Sequence, residues 1–166
     1  NTDSSVTEYA PGANGNVAPV DTIVGPATGV NHPTGIAVDH DGDVYVLDSQ
    51  GGPSITEYAP GANGNAAPIK TISGSNTGMT GFAPGGLALD PSGDLFVGLG
   101  SEILEYGPGA NGNASPIATI SGTNTQLNCG CDLVTDAAGN LYVTSLNNNN
   151  VFLVFAMYLS FEGSSS

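Results

Sequence analysis

Val6-Thr7-Glu8-Tyr9-Ala10-Pro11-Gly12-Ala13-Asn14-Gly15-Asn16 returns twice along the chain. It reappears as Ile55-Thr56-Glu57-Tyr58-Ala59-Pro60-Gly61-Ala62-Asn63-Gly64-Asn65 and as Ile103-Leu104-Glu105-Tyr106-Gly107-Pro108-Gly109-Ala110-Asn111-Gly112-Asn113. The tyrosines stand 49 and 48 residues apart. A fixed period of this length marks a repeat architecture, in which each unit buries its apolar face against the next. The repeats cover about 6–54, 55–102 and 103–150, inside a repeat region 1–156. A fourth copy opens at Val151 and reaches Phe155-Ala156, which sets Phe155 49 residues after Tyr106. It then leaves the pattern: Met157-Tyr158-Leu159 stands where Pro-Gly-Ala is due, and 157–166 is a non-repeat tail.

Each unit reads as four short antiparallel strands. Ile36-Ala37-Val38 is small and branched and ends at Asp39. The corner Asp41-Gly42-Asp43 leads into Val44-Tyr45-Val46-Leu47. Ile55-Thr56-Glu57-Tyr58 alternates with period two, which predicts one wet face. Pro68-Ile69-Lys70-Thr71-Ile72 closes the unit at Ser73-Gly74. The corner recurs as Asp90-Pro91-Ser92-Gly93-Asp94 and Asp136-Ala137-Ala138-Gly139-Asn140. Glycine supplies the positive φ of such a hairpin, and the leading Asp can accept from the turn amides. No segment keeps a helical period, so the fold class is all-β.

The motifs Pro33-x-Gly35-Ile36-Ala37-Val38-Asp39, Asp41-Gly42-Asp43-Val44-Tyr45-Val46 and Ser54-Ile55-Thr56-Glu57-Tyr58 resemble NHL-type β-propeller repeats. The likeness is greatest to secreted bacterial versions with long Pro-Gly-Ala-Asn-Gly-Asn loops. It covers residues 6 to about 156. The resemblance implies blades of four antiparallel strands, with the Ile36, Leu87 and Leu133 strands innermost around a channel and the tyrosine strands third in each blade. Such a fold hosts scaffolds, binding modules and a few enzymes, so it does not itself assign a function.

Family propellers close with about six blades, and this chain carries about three: half of a ring, an open arc or a fragment. By strand type the order is third–fourth, two full blades, then first–second–third. The N-terminal half-blade (Val6–Ala10, Pro19–Ile23) lacks the first two strands, and Leu133–Asp136 with Asn140–Thr144 supplies that type. Unpaired edges are poorly tolerated, so a closed pair of copies or a head-to-tail filament is expected if the chain is whole. Val151–Phe155 has no polar side chain. It is therefore expected to be buried on both faces, packed against another chain, where it competes with or replaces a neighbour's Val6–Ala10 strand, or against sequence outside this segment, with Asn147–Asn150 as connector; the alternative is a terminal strand that only caps the exposed end of the arc.

Composition narrows the partners. Lys and Arg total 1 against 15 Asp and Glu, a formal charge of −14. A polyphosphate backbone and an anionic bilayer are both repelled, so no nucleic-acid partner and no charge-driven membrane binding are expected. The apolar run from Val151 to Phe161 is too short to span a bilayer. The start at Asn1 without Met reads as a processed or excised segment, and the expected location is extracellular or on the cell surface. Cys129 and Cys131 are too close to staple distant elements and too few for a zinc site, and read as two ordinary small residues or as a local or intermolecular disulfide.

Candidate sites are few. Asp39-His40-Asp41-Gly42-Asp43 resembles a cation loop, but the other corners lack the middle carboxylate, which favours a structural turn. The resemblance implies that the loops before the first strands converge on one end of the channel; they hold His32, Phe82, Cys129, Cys131 and Asp132, a candidate ligand site at that mouth. Propeller lyases and lactonases present several metal-binding His or acidic groups there, and no such set stands in this sequence. No catalytic residue, metal or cofactor is therefore assigned. The repeated loops (Asn14, Asn16, Asn63, Asn65, Asn111, Asn113) have a turn role in any case and offer identical polar contacts to a ligand or a neighbouring subunit. Asn113-Ala114-Ser115 fits the glycosylation triplet, but Pro116 follows it. The expected role is a non-enzymatic structural or self-associating protein, joined through complementary terminal strands into rings or filaments. The alternatives are a glycan- or peptide-binding module and, behind it, a metal-dependent lyase or hydrolase using His32 and Asp132.

Overall fold

A computed structural model describes residues 4–49, 51–80, 85–128 and 132–145, and the backbone of 150–154. Among these residues the chain is all-β: thirteen strands and one short 3-10 turn, Thr123–Thr125. The strands fall into four antiparallel sheets. β1 (Ser5–Glu8) and β2 (Asp21–Val24) form a two-stranded sheet. β3 (Pro33–Val38), β4 (Val44–Asp48), β5 (Ser54–Tyr58) and β6 (Lys70–Ile72) form a full sheet in sequence order. β7 (Leu87–Leu89), β8 (Leu95–Leu99), β9 (Glu102–Tyr106) and β10 (Ala118–Ser121) form a second. β11 (Leu133–Thr135), β12 (Leu141–Ser145) and β13 (Asn150–Val154) form a three-stranded sheet.

The corners form as turn chemistry requires. Asp39 Oδ1 accepts from the amides of Asp41 (3.0 Å) and Asp43 (2.8 Å). Asp90 Oδ1 accepts from Ser92 (2.8 Å) and Asp94 (2.9 Å), and Asp136 Oδ1 from Ala138 and Asn140, both at 2.9 Å. The three carboxylates do the same work whether or not a second acid follows. At Asp136 the Asn140 side chain and backbone amides hold the carboxyl down at about 2.

First strands of successive sheets lie side by side, β3 against β7 and β7 against β11. Their approach needs glycine: a Cβ on Gly35 would sit 2.9 Å from the Gly85 carbonyl. The core lies between the sheets. Leu47 and Ile55 of one sheet pack with Leu87, Val97, Leu104 and Tyr106 of the next. Phe96 and Ile103 pack on Leu133, Leu141 and Val143 in the same way. Exposed edges such as Ile36, Val38 and Val134 lie on the first strands.

Two sequence expectations are corrected. The third strand does not keep a wet face inside the array: Ile55, Thr56, Glu57 and Tyr58 of β5 are all buried, because sheets cover both of its faces. Glu57 is accommodated by the chain's one Lys or Arg, Lys70, whose ammonium lies 2.7 Å from it. The fourth copy is also in a different register. Val154 pairs with Leu141 as Tyr58 pairs with Val44 and Tyr106 with Leu95, so Val154, not Phe155, holds the tyrosine position. β13 pairs with β12 of its own chain. Asn147–Asn149 and Phe155 lie outside the described residues.

Candidate functional site

Of the residues expected at a channel mouth, Phe82, Cys129 and Cys131 lie outside the described residues. His32 is exposed on the loop before β3, with φ at 78° and its amide donating to Ser4 Oγ (3.1 Å). Asp132 is exposed before β11, and its amide donates to Thr144 Oγ1 (3.0 Å). Asp132 lines a cavity of about 420 Å³ with Thr7, Thr34 and Leu87, and His32 is not among its lining residues. No three His, Cys, Asp or Glu side chains gather to hold a cation among the described residues. Sequence reasoning passed over Asp48, an acid closing an apolar strand. It is buried, with Oδ1 accepting from the Asn31 amide (2.8 Å) and Oδ2 unpartnered. Burial raises its carboxyl above the ordinary range, against the pull of the Asn31 amide and His32.

The repeated loop forms the most developed polar constellation among the described residues, and it acts between sheets. The loop of the first full sheet lies on β2. Asn63 Oδ1 accepts from the Thr22 amide (3.1 Å) and from the Gly64 amide (2.8 Å). Asn65 Oδ1 accepts from the Ala27 amide (2.7 Å). The Gly64 amide donates to the Thr22 carbonyl (2.8 Å), and the Val24 amide donates to the Gly64 carbonyl (2.9 Å). Every one of these contacts recurs one repeat later. Asn111 Oδ1 takes the amides of Thr71 (3.1 Å) and Gly112 (2.8 Å), and Asn113 Oδ1 takes that of Asn76 (2.7 Å). Gly112 exchanges backbone bonds with Thr71 and Ser73 at 2.8 and 2.9 Å.

A tyrosine completes each joint. The Tyr58 hydroxyl donates to the Thr28 carbonyl (2.5 Å), and the Tyr106 hydroxyl donates to the Thr77 carbonyl. Burial pushes the Tyr106 hydroxyl up to about 12, so it is a donor at any physiological pH. The receiving turn is rigid, because Thr28 and Thr77 each bond back to the glycine three residues earlier. That glycine is required twice over. Gly25 and Gly74 sit at φ 132° and 126°, and a Cβ on either would collide with Oδ1 of Asn65 or Asn113.

The receiving segments read Thr22-Ile23-Val24-Gly25-Pro26-Ala27-Thr28 and Thr71-Ile72-Ser73-Gly74-Ser75-Asn76-Thr77. This second repeated motif is visible in the sequence once its partner is known. It is a catch for the Asn-Gly-Asn loop, which anchors an edge strand to the next sheet by backbone recognition. Oδ1 of Asn63, Asn65, Asn111 and Asn113 is therefore engaged inside the array.

No protein-family model matches the chain, and no curated protein does. Among solved structures, it is similar to a protein of unknown function from Bacteroides caccae, with 14% sequence identity and a TM-score of 0.49. The likeness covers 84% of this chain and 51% of the other, so the chain spans about half the length of that protein.

Proposed function

We propose that the protein is a non-enzymatic structural repeat protein, of the NHL propeller type its motifs resemble, that works by associating with further copies of itself outside the cell or at its surface. The supporting observation is an apolar gap beside the two-stranded sheet. Where the full sheets have a first and a second strand, β1 and β2 leave a cavity of about 510 Å³ lined by Val6, Ile23, Ile36, Val38 and Val44. Ile36, Val38 and Tyr9 are each more than half exposed there. Contiguous apolar surface of this kind favours a protein partner over solvent. The cavity beside Asp132 supports a second reading, a glycan- or peptide-binding module. Its small polar side chains suit hydroxyl or amide groups.

Sedimentation velocity over a wide concentration range tests the first reading. Species that grow with concentration are expected. A single monomeric boundary at every concentration refutes self-association and leaves the binding module to be tested by glycan and peptide panels.

A further inference from the structure

The two internal joints leave one unused half at each end of the array. The N-terminal sheet carries a complete loop, Pro11-Gly12-Ala13-Asn14-Gly15-Asn16, identical in sequence to the seated loops. Among the described residues it has no sheet to lie on. Asn14 and Asn16 are exposed, neither side chain is hydrogen-bonded to a described residue, and the Gly15 carbonyl accepts from the Val17 amide (3.1 Å) in place of a neighbour. Gly15 nevertheless keeps the left-handed φ of the seated loops, 73° against 62° and 63° at Gly64 and Gly112. Tyr9 is 52% exposed, whereas Tyr58 and Tyr106 are at 0%.

The other half stands after β10. Thr119-Ile120-Ser121-Gly122-Thr123-Asn124-Thr125 differs from the seated catch Thr71–Thr77 at one residue, Thr123 for Ser75. It is folded the same way. The Thr125 amide (3.1 Å) and hydroxyl (2.6 Å) both bond back to the Gly122 carbonyl, and Gly122 has φ 106°. A Cβ on Gly122 would meet nothing within 4 Å, where Gly25 and Gly74 each meet an asparagine. β10 is the edge strand of its sheet, and Ala118, Thr119 and Ser121 are exposed. Residues 151–166 contain no asparagine, and Val154 at the tyrosine position carries no hydroxyl, so the fourth copy lacks the groups this catch receives.

We propose that a second copy of this chain completes the joint: Tyr9, Asn14 and Asn16 of one copy seat on Thr119–Thr125 of the next, head to tail. The inference rests on the self-association proposed above and specifies its surface. Asn14 Oδ1 takes the Thr119 amide, Asn16 Oδ1 takes the Asn124 amide, and the Tyr9 hydroxyl donates to the Thr125 carbonyl, as their equivalents do within the chain. The occupant is argued from identity, because the same loop fills the same catch twice in this molecule. The incoming β1 takes the third-strand place beside β12, so it displaces β13, which holds that place in the single chain. The incoming β1–β2 pair then completes a four-stranded sheet with β11 and β12. Each copy carries a charge of −14, so joining is favoured by salt.

Two variants of this 166-residue chain, each disabled at one end, test the joint. The loop variant carries Tyr9→Phe, Asn14→Ala and Asn16→Ala, all at exposed positions. The catch variant carries Thr119→Pro, which removes an outward amide from an edge strand; Ser121→Pro, at the equivalent of the Ser73 amide that donates in the seated catch, is the alternative if that fold is impaired. Sedimentation velocity is run in about 150 mM salt, where the screening length is ~8 Å. Wild type is expected to associate, each variant alone to be monomeric, and equal amounts of the two to form dimers held by the one intact joint. If wild type closes through two joints, the mixed dimer is weaker by about tenfold or more. If wild type associates and each variant alone does so equally well, self-association stands and this joint is wrong. If wild type is monomeric throughout, both are wrong.

Discussion

Tyr9, Tyr58 and Tyr106 occupy one position in three repeats, yet removing the hydroxyl has a different consequence at each. Tyr58→Phe strips the donor from a joint whose acceptor, the Thr28 carbonyl, belongs to a residue buried at 0% exposure. No water reaches that carbonyl to replace the bond, and an unsatisfied buried acceptor costs about 1–3 kcal/mol. Tyr106→Phe does the same to Thr77, which is 1% exposed. Tyr9→Phe removes a hydroxyl that has no partner among the described residues from a half-exposed ring, so the isolated chain should change by less than about 0.5 kcal/mol. The assay is urea unfolding followed by far-ultraviolet circular dichroism, at concentrations where the chain is monomeric. Each kcal/mol moves the thermal midpoint of a chain this size by about 2–4 °C, so the contrast is measurable by heat as well. Equal losses at Tyr9 and Tyr58, or a Tyr58→Phe loss below about 0.5 kcal/mol, would refute the account of the joint. A repeat array can also unfold in parts, in which case Tyr58→Phe should weaken the step that separates the first two sheets and leave the later one unchanged.

Three further outcomes are expected. Phe96→Ala empties a buried site between the second full sheet and β11–β12 and should cost about 3–5 kcal/mol in the same unfolding assay; a loss under about 1 kcal/mol would contradict its packing against Leu133 and Leu141. Lys70→Ala leaves the buried Glu57 carboxylate without its ion pair and should cost about 1–3 kcal/mol, below the full penalty of breaking a buried pair because a third of the Lys70 side chain is wet; Lys70→Ala with Glu57→Gln should recover most of it. Burial raises the carboxyls of Asp43, Asp48, Asp94 and Glu105, so the folded chain holds their protons where the unfolded chain, near 3.8 for Asp and 4.5 for Glu, has lost them. Their charged forms oppose folding, and stability should fall as pH rises through the folded values. Asp136 works in the opposite sense: held at about 2, it stabilises above 3.8 and loses that effect as pH falls toward 2. The urea midpoint should therefore rise with pH while Asp136 ionises below 3.8 and fall as pH climbs above 4.5, where the raised carboxyls give up their protons, less steeply in Asp48→Asn; a midpoint that instead climbs as pH rises above 4.5 would overturn this.

The period of Tyr9, Tyr58 and Tyr106, the Asp-led corners and the lack of helical spacing are local signals, and from them the sequence alone determined an all-β array of short antiparallel strands. Those signals are legible because turn chemistry and strand alternation act over a few residues. Only the tertiary structure decided what each repeated group does. Glu57 and Glu105 are equivalent in sequence, but Glu57 lies in a fully covered strand paired with Lys70 and Glu105 has no cation beside it in its own repeat. Val154, and not Phe155, takes the tyrosine register because strand pairing is set by backbone bonds to β12. The Asn-Gly-Asn loop shows a turn in its own residues, while its catch lies about 40 residues earlier, on the edge strand of another sheet. A hydrogen bond across that separation leaves no local period in the chain. The same hexapeptide is thus an engaged joint at Asn63 and Asn111 and an open one at Asn14, because burial depends on whether a neighbouring sheet is present and not on the letters of the loop.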